Sequence, residues 1–156
     1  MLTGALGVLG LAPFAVAVAA ADPAPNACSL LASQDLQRAL GGAVGGGSLT
    51  TAPDGTQSVC DWVVLLNPSR DYGAQLDAYS GRRASDFALQ RKIAWGRTRA
   101  VEHLGDGAFS ERAVAGGHVF DDLWVRHATI NFRLEILRDL GSKPLEPLAR
   151  VVLTKL

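Results

Sequence analysis

Hydrophobic positions fall into three regimes along the chain. Residues 1–21, MLTGALGVLGLAPFAVAVAAA, are apolar almost throughout and carry no charged side chain. Beyond them, apolar residues recur in some stretches at helical spacing and in others at every second position. The two periods separate helix from strand, because a helix turns once in about 3.6 residues whereas strand side chains alternate between faces.

Leu36, Ala39 and Leu40 form a helical stripe, with Ser33 placed to cap it, Asp35 in the positive first turn and Gly41-Gly42 to end it. Ser48 to Thr51 reads as a short edge strand between Gly45-Gly46-Gly47 and Ala52-Pro53-Asp54-Gly55. The next run, Ser58 to Leu66, is β-branched and aromatic. After the turn Asn67-Pro68-Ser69-Arg70-Asp71, the residues Tyr72, Ala74, Leu76 and Ala78 alternate with more polar or smaller neighbours, which predicts a hairpin. Ser85 is placed to cap a helix whose Phe87, Ala88, Arg91, Ala94 and Trp95 share a face, ending near Gly96.

From Thr98 onward the pattern is that of strands. Arg99, Val101 and His103 alternate with Ala100 and Glu102, Gly105-Asp106-Gly107 makes a turn, and Ala108 to Val114 runs on to Gly116-Gly117. Val119 to His127 follows, and then Ile130, Phe132, Leu134 and Ile136 alternate with Asn131, Arg133 and Glu135 as a half-buried strand. Pro144 and Glu146 open a last amphipathic helix carrying Leu145, Leu148, Ala149, Val152 and Leu156. Three helices with one apolar stripe each, and strands with one apolar face, predict a two-layer α+β domain: an antiparallel β-sheet packed by three α-helices.

Composition adds the compartment. The chain has 156 residues, Lys+Arg 15 against Asp+Glu 15, and 48% hydrophobic residues, which excludes a disordered chain and fits one globular core. The even charge balance argues against a nucleic-acid partner, which a basic surplus would announce. Residues 1–21 end in small side chains, Ala19 and Ala21, just before Asp22-Pro23, and so read as a secretory signal peptide, with a retained anchor or a buried helix as the alternatives. The expected organisation is a signal peptide over 1–21, a Pro-rich flexible leader over 22–27 and a single α+β domain over 28–156. No cysteine closes the apolar run, so the mature chain is expected to be soluble and extracytoplasmic, without a lipid anchor. Outside the cytoplasm the two cysteines, Cys28 and Cys60, are expected to pair. Closing that loop removes roughly 3 to 4 kcal/mol of chain entropy from the unfolded state.

The order of three short motifs adds a likeness. Ala27-Cys28-Ser29-Leu30-Leu31-Ala32-Ser33 with Gln34-Asp35-Leu36, then Cys60-Asp61-Trp62, then His103-Leu104-Gly105-Asp106-Gly107-Ala108-Phe109 resemble a family of actinobacterial secreted proteins and lipoproteins of unknown function. Its members pair a C-x-L-L-(S/T) helix start with a later C-x-W and an L-G-D-x-A-F turn, over nearly the whole mature chain. The resemblance implies an exported, disulfide-linked α+β domain of the cell envelope with no known activity or cofactor. This chain departs from the lipoprotein members in lacking the lipid-accepting cysteine, and it has His103 where Gly or Pro often precedes the Leu-Gly-Asp.

Chemistry is sparse in the sequence. Asp121-Asp122 with His118 and His127 is the best candidate for a metal or acid/base group, but side chains of opposite parity on a strand point to opposite faces, so no metal site is assigned. Asp106 between glycines has the chemistry of a turn. The glycine triplet lacks the Lys-Ser/Thr of a phosphate loop, and no hydrolase or zinc motif occurs, so neither catalytic residue nor cofactor is assigned. Arg82, Arg83, Arg91, Lys92, Arg97 and Arg99 make a locally basic segment, a candidate surface for an envelope component, an anionic lipid or a secreted protein. Trp62 and Trp124 are expected in the core, and Trp95 at a helix end is placed to line a cleft. The expected function is a non-catalytic binding or interaction module of the envelope or extracellular space. The alternatives are a small secreted hydrolase using Asp106 or the His118 and Asp121 pair, and an inhibitor-like secreted protein.

Overall fold

The computed structural model describes residues 22–67, 70–137 and 144–156. The expected signal peptide, 1–21, and Pro68-Ser69 of the hairpin turn lie outside the described residues. The elements in chain order are α1 (Ala27–Leu30), α2 (Ser33–Leu40), β1 (Ala43–Val44), β2 (Ser48–Thr51), β3 (Gln57–Asn67), β4 (Arg70–Tyr79), α3 (Ala84–Ile93), β5 (Arg97–Val101), β6 (Gly107–Ala115), β7 (His118–His127), β8 (Ile130–Ile136) and α4 (Leu145–Leu153). Among the described residues no helix is long and apolar enough to cross a membrane.

Every strand joins one antiparallel sheet in the order β1-β3-β4-β8-β7-β6-β5, with β2 pairing a second stretch of β3. Alternation then sorts the side chains. Trp62, Val64, Ala74, Leu76, Ala78, Leu123, Val125, Phe132, Leu134 and Ile136 face one way and are buried. Leu30 of α1, Leu31 just after it and Leu36 of α2, with Leu145, Leu148, Ala149 and Val152 of α4, cover them. Each fully buried Leu or Phe of this layer contributes about 1.5–3 kcal/mol over its exposed state.

The α+β class, the antiparallel sheet and the disulfide are as the pattern predicts, while the helices differ in number and placement. The extra segment, α1, is a single turn capped by Asn26, whose Oδ1 accepts from the Ser29 N–H at 3.2 Å. Among the described residues α1, α2 and α4 lie on the core face and α3 lies on the opposite face, so the sheet is covered in part on both sides. None of the α3 residues is buried, and Phe87 meets the sheet edge-on to Phe109, with ring centroids 5.3 Å apart. A stripe of Phe and Ala at helical spacing signals an amphipathic helix without saying how much of it is covered.

Caps also differ in detail. Ser33 is inside α2 and donates its hydroxyl to the Gly45 carbonyl at 2.8 Å, while the Asp35 carboxylate takes the Ala32 N–H. Likewise Ser85 lies inside α3, and the Asp86 carboxylate takes the Arg83 N–H at 2.8 Å. The stretch 22–27, expected to be a flexible leader, is hydrogen-bonded to the β2–β3 turn and to β3: Ala24 N–H to the Gly55 carbonyl, Ala27 N–H to Ser58 Oγ, and Ser58 Oγ to the Pro25 carbonyl.

Cys28 and Cys60 are bonded, with Cα atoms 5.1 Å apart, tying α1 to the centre of β3. The glycine triplet has a packing reason. Pairing of β3 slips by one residue between β1 and β2, and Gly47 then lies directly on the disulfide: a Cβ there would come 2.5 Å from Cys60 Sγ and 2.8 Å from Trp62 Nε1. Asp106 also has a structural partner. Its carboxylate accepts from the Ala128 N–H at 2.7 Å, holding the β7–β8 turn, where Ala128 has φ 51°.

Reduction, or the paired variant Cys28→Ala/Cys60→Ala, is expected to cost about 3 to 4 kcal/mol in urea denaturation, read as a lower midpoint. Gly47→Ala is expected to destabilise by about 1–3 kcal/mol through overpacking. Gly46→Ala, where nothing lies within 4 Å of the added carbon, serves as the control in the same thermal melts.

Candidate functional site

The register of the sheet converts scattered acids into a row. Glu111 of β6 pairs with Asp122 of β7, and Asp122 pairs with Glu135 of β8. The row continues through Gln75 of β4 to Asp61 of β3. Like charges directly opposite one another on a sheet are destabilising, so such a row needs compensation. It comes from the neighbouring row, in which Phe109, Trp124, Arg133 and Asp77 stand side by side on the same face.

Arg133 is the centre of this face. Its Nε donates to Asp122 Oδ1 at 3.1 Å, its Nη1 lies 3.6 Å from Asp77 Oδ2, and its Nη2 pairs with the Glu135 carboxylate. The guanidinium also lies over the Trp124 ring, 5.6 Å from its centroid. One planar cation with a fork of donors thus engages three carboxylates, a task to which Lys, with a single compact charge, is poorly suited. The fourth acid, Glu111, accepts the Gly96 N–H at 2.9 Å and so anchors the segment that leaves α3. Gly96 has no room for a side chain there, because a Cβ would collide with the Arg112 carbonyl.

Burial and charge set the protonation behaviour. Asp77, Glu111 and Asp122 are all buried. Burial pushes the Asp122 carboxyl up to about 6, against the pull of Arg133. Burial also raises Asp77, opposed by its hydrogen bond from Gln75 and by Arg133. Tyr79 is pushed up to about 12 by burial and stays a neutral phenol at physiological pH.

Aromatic rings form the other half of the site. Trp124 stacks between Tyr79, at 6.2 Å, and Phe109, at 6.1 Å, and Arg82 lies 5.3 Å over the Tyr79 ring. Between this sheet face and the last turn of α3 is a groove of about 430 Å³, walled by Ile93, Trp95, Phe120 and Trp124 and floored by Glu111, Asp122, Arg133 and Glu135. A groove of this size, apolar in its walls and polar in its floor, has the character of a ligand site. Its carboxylates converge on a guanidinium, and among the described residues no three His, Cys, Asp or Glu side chains are grouped to hold a metal ion.

Few of the residues singled out in the sequence come together here. Asp122 enters the groove, but Asp121 points to the core face, and His118 and Asp121 lie on opposite faces of β7, which removes that pair as a hydrolase centre. His127 shares the face of Asp121, and Asp106 is engaged at the β7–β8 turn. The basic segment is divided. Arg82 lies against Tyr79, Arg83 precedes α3, Arg91 and Lys92 are exposed in its last turn, and Arg97 and Arg99 sit on the other face of the sheet beside Arg112. Trp62 is in the core as expected, whereas Trp124 is half-buried on the α3 face and Trp95, 71% exposed, lines the groove. Sequence reasoning missed Glu111, Arg133, Glu135 and Asp77. The available signal was that three adjacent predicted strands each carry an acid at a polar position, Glu111, Asp122 and Glu135, which only a register turns into proximity.

Because Asp122 holds its proton more tightly when folded, its contribution to stability is present below the unfolded value of 3.8 and is lost as pH rises through about 6. The wild-type protein is therefore expected to lose roughly 1–3 kcal/mol at this group between about pH 4 and 7. Asp122→Asn is expected to flatten that part of a stability-against-pH curve measured by urea denaturation.

Comparison of the chain with models of known protein families, with curated protein sequences and with solved structures finds no match in any of the three.

Proposed function

We propose that this chain is an exported domain of the cell envelope or extracellular space, of the actinobacterial secreted type that its ordered motifs resemble, and that it acts by binding another molecule. The observation that carries the reading is the groove beneath α3, where Trp95, Trp124 and Phe120 offer apolar surface beside a charged floor. Its acids are committed to Arg133 and to the Gly96 N–H, so the floor is a rigid charge pattern and presents no nucleophile paired with a base. The Cys28–Cys60 bond supports an oxidising compartment, and the apolar, uncharged run 1–21 supports a signal peptide.

The test is retention of the purified protein on cell-wall fractions, on vesicles of anionic lipid and on immobilised secreted proteins, with Trp95→Ala alongside. Trp95 is exposed, so its loss leaves the fold intact. The expected result is retention by one of the three fractions, weakened about tenfold in the variant. Retention by none, or equal retention of both proteins, overturns the reading.

A further inference from the structure

Two buried polar atoms on the α3 face lack a hydrogen-bond partner among the described residues. Trp124 Nε1 is a donor without an acceptor, and Asn131 Oδ1 is an acceptor without a donor. Asn131 is only 3% exposed, and the indole nitrogen has no appreciable surface open to solvent. Register brings the two residues together: Trp124 opposes Arg133 across β7 and β8, and Asn131 opposes Arg126 one row further along the same face. Both line a small pocket of about 50 Å³, with Tyr79, Arg82, Asp86 and Gln90 as its other walls. That pocket shares Tyr79, Gln90 and Trp124 with the groove and so forms its inner end. A buried donor and a buried acceptor left unpaired each cost the folded chain free energy, which is regained when a suitable partner arrives.

The pair specifies what that partner must be. An ammonium group only donates and a carboxylate only accepts, whereas a hydroxyl does both through one oxygen. The pocket exceeds the roughly 10–15 Å³ that a water-sized group needs, so a hydroxyl fits there and the body that carries it stays in the groove. The groove floor is already charge-paired through Arg133 and the Gly96 N–H, which leaves little for an ion to neutralise. Its carboxylate oxygens keep free lone pairs, and further hydroxyls can donate to them without bringing charge into a partly buried site. The groove's volume, about 430 Å³, is that of a site for a small molecule, and Ile93 and Trp95 offer apolar surface to ring C–H groups. We propose that the groove binds a neutral sugar, with one hydroxyl in the inner pocket between Trp124 Nε1 and Asn131 Oδ1 and the ring against Trp95. Gln90, on a helix without a buried residue, is the side chain that turns aside to admit the hydroxyl. This rests on the binding reading above and names the ligand class of the same groove.

The test titrates the methyl glycosides of glucose, galactose, mannose and xylose, with cyclohexanol as a ring bearing a single hydroxyl and N-acetylglycinamide as a neutral amide. Binding is followed up to about 50 mM ligand, the range of a weak millimolar site. The readout is the three tryptophan indole N–H resonances in a proton–nitrogen correlation spectrum. Trp95 and Trp124 report the groove, and buried Trp62 on the opposite face reports the fold. At least one glycoside is expected to shift Trp95 and Trp124 saturably and leave Trp62 in place, with the Trp124 indole proton moving downfield as it gains an acceptor. Cyclohexanol and the amide are expected to bind at least about fivefold more weakly than that glycoside. Asn131→Leu removes the unpaired oxygen and is expected to weaken the sugar at least about fivefold with the Trp62 signal unchanged. Should Asn131→Leu disturb the fold, Trp124→Phe removes the unpaired donor and gives the same reading through Trp95. Absence of a Trp124 shift with every glycoside, which leaves water as the partner of the two atoms, overturns the sugar assignment. So does a control ligand within about fivefold of the best glycoside, or a variant within about fivefold of wild type. None of these results touches the wider binding reading, which fails only if Trp95→Ala is retained on the envelope fractions as well as the native protein or neither is retained at all.

Discussion

A single guanidinium makes the outer face of this sheet possible. Glu111, Asp122 and Glu135 stand on one row of adjacent strands, and Asp77 stands on the next, an arrangement whose mutual repulsion would oppose strand pairing without a cation among them. Arg133 reaches three of the four with separate nitrogens, and its planar fork is what lets one residue do so. The fourth, Glu111, is satisfied by a backbone N–H at the exit from α3. The polar network therefore does two things: it holds the charge in place, and it sets where α3 leaves the sheet, hence the width of the groove.

The opposite face is built on ordinary apolar burial and on the bond between Cys28 and Cys60. Leu76, Leu123 and Leu134 meet on one row with Cys60, and α1, α2 and α4 close over them. The disulfide, the bare Gly47 and the Trp62 indole form one packed unit, in which the absence of a side chain is as necessary as the sulfurs. A rigid layer on this side lets the other side carry buried carboxylates that would be unsupported on a soft scaffold. Specificity of a binding site depends on such preorganised polar groups, since they lose little freedom when a ligand arrives.

One face of the sheet thus carries the apolar core and the other the charged groove. The division follows from strand alternation: one step along β7 exchanges Asp121, on the core face, for Asp122, in the groove. It also explains why neighbouring titratable residues in the sequence have unrelated roles here. His118, Asp121 and His127 are close in number to Asp122, yet the residues that share its environment come from β4, β6 and β8.

Periodicity was enough to place the strands from Ser48–Thr51 to Ile130–Ile136, the glycine-ended α2 and the amphipathic α4, because each is encoded by neighbours within a few residues, and the pairing of Cys28 with Cys60 followed from the expected export and from there being only one partner. Tertiary structure decided the rest. The extra turn α1, the placement of α3 on the far face, the anchoring of 22–27 and the convergence of Glu111, Asp122, Arg133 and Glu135 all depend on register and on the order β4-β8-β7-β6. A strand's own sequence states which residues share a face, but not which strand lies beside it or at what offset, and a site assembled across four strands exists only once both are set.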